Sequence, residues 1–494
     1  MKYRSTRGNG EAVNAAAAII RGLASDGGLF VPTEIPHIDA GFIESLVSVD
    51  YLSRAQKVLS LFLDDYTDGE IASCVEKAYG NHKFDTDEIA PIKSVADVTV
   101  LELWHGPTSA FKDMALQLLP QTMSVALGKT KESHEVLILV ATSGDTGKAA
   151  LAGFADADQI KIMVFYPDGG VSQMQRLQMV TQQGKNVSVV AVRGNFDDAQ
   201  SGVKKIFGDA EFNEKLGKEN FRLSSANSIN WGRLVPQIVY YFSAYADMIS
   251  SGRIKNGDEI NFTVPTGNFG NILAGFYAKM MGLPVGRFVC ASNENNVLTD
   301  FIKSGKYDKN RKFYKTISPS MDILISSNLE RLLYHISNDG EKVRGWMESL
   351  AKNGCYDCGE NIKNKVAKYF WADYADDVKT SETIKEVFDS TGYVLDPHTA
   401  VAWHAAHAYM SSTNDARPMV VVSTASPYKF SASVLEALNE RVDDDPFAAL
   451  AALEARNSVP APKGLASLRG ARILHEDICD KDEMENKVFS FVKR

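Results

Sequence analysis

Cysteine is scarce and scattered: Cys74, Cys290, Cys355, Cys358 and Cys479 are the only five in 494 residues. An odd, dispersed set in a long chain excludes a disulfide-stapled scaffold and suits a reducing compartment. Positive charge is also in deficit, with 53 Lys plus Arg against 62 Asp plus Glu and a formal charge of −9. Neutralising a nucleic-acid backbone needs a basic face, so a general nucleic-acid binder is excluded, whereas a small anion held by a few local donors is not. A continuous apolar run of about 20 residues, the length needed to cross a bilayer, is missing. The one apolar stretch near the start, 15–20, is short and follows Glu11. Neither a secretory signal nor a membrane span is expected, and a cytoplasmic location is.

Repeats of 20–50 residues are absent as well, which removes solenoids and propellers. Hydrophobic residues make up 45% and charged residues 23%, the usage of a packed globular protein, and the length predicts roughly three domains of about 150 residues. Residues 1–97 are mixed and helix-leaning and form the first predicted unit. From 98 onward short β-branched runs alternate with Gly-, Asn- or Ser-rich turns and amphipathic segments, the texture of a parallel α/β system. Strands are predicted at 136–141, 162–166, 187–192, 260–264, 288–291 and 419–423. Helices are predicted at about 171–183, 231–249, 270–282, 397–410 and 431–440. Residues 98–440 therefore form the second predicted unit. The Asp-rich break before Pro446 and the Pro-rich stretch at 458–464 mark 441–494 as a C-terminal cap.

Within this frame, HGPTSAFKD at 105–113 leads into a helical pattern, with Lys112 at the helix start. The positive end of the helix dipole and the apolar neighbours Ala110 and Phe111 both favour a neutral amine, the form needed for Schiff-base chemistry. The plainer alternative is a surface lysine whose stem covers the helix. ATSGDTGK at 141–148 follows a strand and opens a helix, so Ser143, Asp145, Thr146 and the loop N–H groups form a candidate cradle for a carboxylate or phosphate. It lacks P-loop spacing, so nucleotide binding is disfavoured, and a capped turn is the competing reading. A second anion cradle is PTGNFGN at 265–271, where Gly267, Asn268, Phe269, Gly270 and Asn271 precede another helix. A tight turn with an Asn cap is equally compatible with that motif alone. Asn227, Asn230 and Arg233 offer amides and a guanidinium ahead of the 231–249 helix, or else simply cap it. Thr424 closes a strand at the end where open α/β sheets bind ligands.

Metal binding is not expected. The Cys355–Cys358 pair has knuckle spacing but no second pair, and His398, His404 and His407 share a helix without the acidic partner of a zinc-protease helix.

The order of HGPTSAFKD, ATSGDTG, GNFDDAQ (194–200), NSIN (227–230), PTGNFGN, PSMDI (319–323), SSNLER (326–331), PHTAVA (397–402) and STASPYKF (423–430) resembles threonine synthase, as does YRSTRG at 3–8. The resemblance runs from Tyr3 to about Phe430. It implies pyridoxal-phosphate fold type II, the tryptophan-synthase-β-like group: two open, mostly parallel sheets with flanking helices, plus a mainly helical N-terminal portion. It implies that Lys112 binds the coenzyme aldehyde, that Gly267 to Asn271 hold its phosphate, and that Thr424 meets its ring nitrogen. The loop with Ser143, Asp145 and Thr146 would take the substrate carboxylate, and Asn227, Asn230 and Arg233 the substrate phosphate. The implied activity converts O-phospho-L-homoserine and water to L-threonine and phosphate. Related chemistries of the same fold, a serine/threonine dehydratase or a β-replacing sulfhydrylase, and a non-catalytic binding homologue are the alternatives. The oligomeric state is not readable from the sequence.

Overall fold

β-Branched runs become the inner strands of two sheets in the computed structural model, which describes residues 1–494 except Asn9, Ser143, Asp443, Asp444 and Ser458, and Asp197 without its side chain. The larger sheet has the order Phe370–Tyr374, Val285–Ser292, Ile260–Pro265, Met419–Ser423, Val98–Glu102, Ile92–Val95. Its first five strands are parallel and the last is antiparallel. The second sheet, Asp477–Cys479, Val187–Val192, Ile160–Pro167, Glu135–Ala141, Phe221–Ser224, is parallel throughout. Every position of Val187–Val192, Ile260–Pro265 and Met419–Ser423 is buried. Helices cover both faces, which is why these strands read as unbroken apolar runs instead of alternating.

The six strands expected from sequence all form, and the helices Trp231–Ser250, Gly270–Met281 and Pro397–Thr413 start where expected. The helix expected at 171–183 is shorter, Gln173–Val180, because Ser172 and Gln175 close a capping box at its start.

Helices Ala15–Arg21, Ala40–Val47, Tyr51–Ser60 and Asp68–Tyr79, with the antiparallel pair Tyr3–Ser5 and Phe30–Pro32, make up the N-terminal portion. It is not a free-standing unit. Its helices pack on Trp231–Ser250, in which 17 of 20 residues are buried. Buried Arg54 reaches Asp247 at 2.6 Å and Ser243 at 2.8 Å, and the Tyr3 ring lies 5.2 Å from that of Trp231.

The tail contributes a strand and a helix to the second sheet's side of the molecule. Asp477–Cys479 joins the second sheet beside Val187–Val192, and helix Met484–Val492 buries Met484, Val488, Phe491 and Val492 against Leu137, Leu139 and Val190. A three-residue edge strand has too few residues to show a period, so pattern alone could not reveal it.

Candidate active site

In the two large sheets every strand but Ile92–Val95 runs parallel, so the turns that follow them gather at the C-terminal strand edges, where open α/β sheets bind ligands. Lys112 follows Val98–Glu102, Asp145 follows Glu135–Ala141, Gly267 to Gly270 follow Ile260–Pro265, and Thr424 follows Met419–Ser423. An isolated bridge between Ala110 and Ala425, with the Phe111 N–H donating to the Thr424 carbonyl at 2.8 Å, ties two of these turns together.

Lys112 occupies the N-cap of the short helix Asp113–Leu116, just after Ser109 in left-handed conformation (φ +59°). Its side chain is 11% exposed. Burial pushes the amine's pKa down, Asp145 opposes this, and Lys429 and Arg233 add to the fall. The Asp145 carboxylate is shared. Oδ1 pairs with Lys429 at 2.7 Å and accepts from Gln175 at 3.1 Å, whereas Oδ2 accepts from Ser320 Oγ at 2.9 Å and lies 3.5 Å from Lys112. Burial would raise the Asp145 pKa, but Lys429, Lys112 and His398 outweigh it and hold the group well below the ordinary carboxylate range. The Ser320 N–H donates to His398 Nε2 at 3.1 Å, and His398 Nδ1 meets Asp396 at 2.8 Å. Both ring nitrogens of His398 are thereby engaged, one by the Ser320 N–H and the other by a helix-capping aspartate.

The 267–270 turn is built for close approach. Phe269 takes a left-handed conformation (φ +62°) that a bulky residue adopts only when its surroundings impose it. Here burial and contact with the Phe370 ring at 5.6 Å do so. A Cβ on Gly267 would stand 3.2 Å from the Ser320 carbonyl oxygen. The hydroxyls of Tyr240 and Tyr241 both lie 2.7 Å from Asn271 Oδ1, which turns Asn271 Nδ2 away from them; that donor is buried and has no partner among the described residues. Asn328 is in the same state, its Oδ1 held by Arg331 and its Nδ2 unpartnered. A Cβ on Gly270 would lie 3.4 Å from that Nδ2. Unsatisfied buried donors are costly, and two of them converging on a helix N-terminus suit a phosphate ester.

The remaining predicted residues divide. Asn230 is corrected to a structural role: Nδ2 donates to the Ile19 and Ser225 carbonyls and Oδ1 caps Gly232, so it has no free atom for substrate. Arg233 is buried, donates to the Ala226 carbonyl, and keeps Nε without a partner among the described residues. Burial lowers its pKa to about 10. Asn227 and Thr146 are half-buried beside these groups, and Ser143 lies outside the described residues. The Asp145 side chain, committed to two lysines, would repel a carboxylate. Sequence reasoning assigned no role to Lys429, Ser320, His398 or Asn328, although each stands inside one of the quoted motifs. The signal for Lys429 was its place between Tyr428 and Phe430, a lysine in an aromatic run.

Residues 2–79 match the family model described as threonine synthase N terminus, 88–360 that of pyridoxal-phosphate dependent enzymes, and 399–466 that of the threonine synthase C-terminal region. A threonine synthase of Pseudomonas aeruginosa is 40% identical, over 88% of this chain and 90% of its own. The chain belongs to the threonine synthase family. A Brucella melitensis threonine synthase, solved with PLP bound, superposes with a TM-score of 0.87 at 36% identity over the whole of both chains. Human threonine synthase-like 1 is 40% identical over 95% of this chain, which spans 63% of that relative's length.

The motifs YRSTRG and SSNLER, far apart in the chain, meet in the fold. Thr6 and Arg7 of YRSTRG hold Glu330 of SSNLER, Arg7 through two 2.9 Å hydrogen bonds. Arg331 then binds the carbonyls of Phe30 at 3.0 Å and Ile229 at 2.6 Å. The N-terminal portion of this threonine synthase-family chain thus braces the segment that positions Asn328. Among the described residues no helix is long and apolar enough to cross a membrane.

Proposed function

We propose that this chain is a pyridoxal-phosphate-dependent lyase that converts O-phospho-L-homoserine and water to L-threonine and phosphate. The observation that carries this reading is the buried Lys112 amine, its pKa lowered, beside a glycine turn flanked by two unpartnered amide donors. Bound there, the coenzyme supplies the conjugated electron sink that stabilises negative charge at the substrate α-carbon. Lys112 would hold its aldehyde carbon and would serve as base and acid at the substrate α-carbon. The backbone of Gly267 to Asn271, with the Asn271 and Asn328 amides, holds its phosphate, and Thr424 serves the ring nitrogen through its hydroxyl. The loop N–H groups and hydroxyls of Ser143 and Thr146 take the substrate carboxylate. Arg233, whose Nε lacks a partner among the described residues, and Asn227 take the substrate phosphate.

The unit boundaries 1–97, 98–440 and 441–494 are retained as sequence-level divisions, and operation in the cytoplasm is part of the proposal, supported by five unpaired cysteines. The test is incubation of the coenzyme-loaded protein with O-phosphohomoserine. Threonine and phosphate should appear in equal amounts. Turnover of serine, threonine or O-acetylserine alone would overturn the assignment, and a colourless protein with no borohydride-trappable lysine would point to a binding homologue.

A further inference from the structure

Two buried lysines face one carboxylate in this site, and they are not equivalent. Lys429 is fully buried, sits 2.7 Å from Asp145 Oδ1, and donates to the Thr108 carbonyl at 3.0 Å. Lys112 stands at 3.5 Å from Oδ2, and the Ser320 hydroxyl donates to that same oxygen at 2.9 Å. A lone aspartate beside Lys112 would hold its amine as ammonium and block the nucleophile. We infer that Lys429 is a positioning residue whose ammonium occupies Asp145 and so leaves Lys112 free to lose its proton.

The other charges around the pair agree with this division. Arg233, from the Trp231–Ser250 helix, repels a charge on Lys112, and His398, from Pro397–Thr413, faces Asp145. Lys148 donates to Gln182 Oε1 at 2.7 Å, and burial lowers its pKa to about 8, with Asp113 opposing the fall and Lys429 adding to it. Burial raises the Asp113 pKa to about 6 even though Thr108 donates to both its oxygens. Among the described residues, Asp145 is therefore the only carboxylate ion-paired with Lys429 or Lys112. Its charge goes to whichever lysine holds it more closely. Ser320 and Gln175 add neutral donors that steady the carboxylate without competing for a proton.

The inference rests on the proposed role of Lys112, but its test needs neither coenzyme nor turnover. The chain, stripped of coenzyme with hydroxylamine and then dialysed, is treated with fluorodinitrobenzene across pH 6 to 11, and labelling of Lys112 is followed by peptide mass spectrometry. Lys429→Met should move the midpoint for Lys112 upward by about one unit, slowing labelling at pH 7 about tenfold. Lys429→Arg should restore the parent midpoint. Asp145→Asn should move it downward, and Lys429→Met combined with Asp145→Asn should return it to or below the parent value. An unchanged or lowered midpoint in Lys429→Met would overturn the inference. If that variant does not fold, an upward or absent shift in Asp145→Asn overturns it equally. A protein with the expected midpoints that fails to convert O-phosphohomoserine would leave the charge arrangement standing and remove only the assigned reaction.

Discussion

Lys112, Asp145 and Asn271 carry opposite lessons about what a residue brings and what its place imposes. Lys112 is an ordinary lysine until burial and two nearby cations lower its pKa. Asn271 is an ordinary cap candidate until two tyrosine hydroxyls claim its oxygen and leave its buried nitrogen without a partner among the described residues. Lys112→Ala should cut turnover about 1000-fold or more, since general acid–base work at the α-carbon is lost. The fold should persist, because removing a buried amine also removes its desolvation cost. Steady-state rates with phosphohomoserine, beside a thermal melt within about 2 °C of the parent, check both halves; near-parental activity would sink the role of Lys112. The residue types at 105–113 were legible in the sequence, as was their place at a helix start. Lys429 was not, since nothing local says that a lysine 317 positions further along shares its carboxylate.

Elements explain why the site holds its shape over a range of pH. The turn after Val98–Glu102 is clamped by His105, which meets Glu102 at 3.0 Å, contacts Asp85 and stacks on Trp104. Burial alone would lower the His105 pKa, but the two carboxylates outweigh it and raise it to about 9. A pKa raised above the unfolded value of about 6.5 gives stability that is complete below that pH and fades as pH climbs through about 9. We expect His105→Gln to lose on the order of 2 kcal/mol at pH 6 and much less at pH 10. Thermal melts of both proteins at the two pH values measure this; an equal gap at both would contradict the clamp. Helices and inner strands were legible because their periods run over many residues. The turns were legible only as Gly- and Asn-rich breaks, and the left-handed Phe269 was not, since its conformation is imposed by packing from Phe370.

Across the whole molecule the two ends of the chain support a centre they do not enter. The tail closes the edge of the second sheet through Asp477–Cys479 and buries four side chains of its last helix. Truncation after 470 should expose the Val190–Val192 edge and its apolar face at a cost of about 5 kcal/mol, discounted from full burial of those side chains. The truncated protein should bind a hydrophobic dye and be cut by protease near Val187–Val192 under conditions where the parent is not. A truncated chain with parental melting and protease resistance would show that the tail is a mere appendage. The N-terminal motif acts at a similar distance, with Arg7 reaching Glu330 across 323 positions.

Local order in the chain was enough to determine the α/β alternation and the starts of the helices at 231, 270 and 397, because hydrophobic period and glycine placement are properties of neighbouring residues. Only the folded molecule decided that Asn230 is spent on the backbone, that Asn328 joins the glycine turn, that the tail becomes a strand, and that Lys429 takes the charge of Asp145. Those outcomes depend on which groups meet after the sheets have formed, and on how little water is left between them.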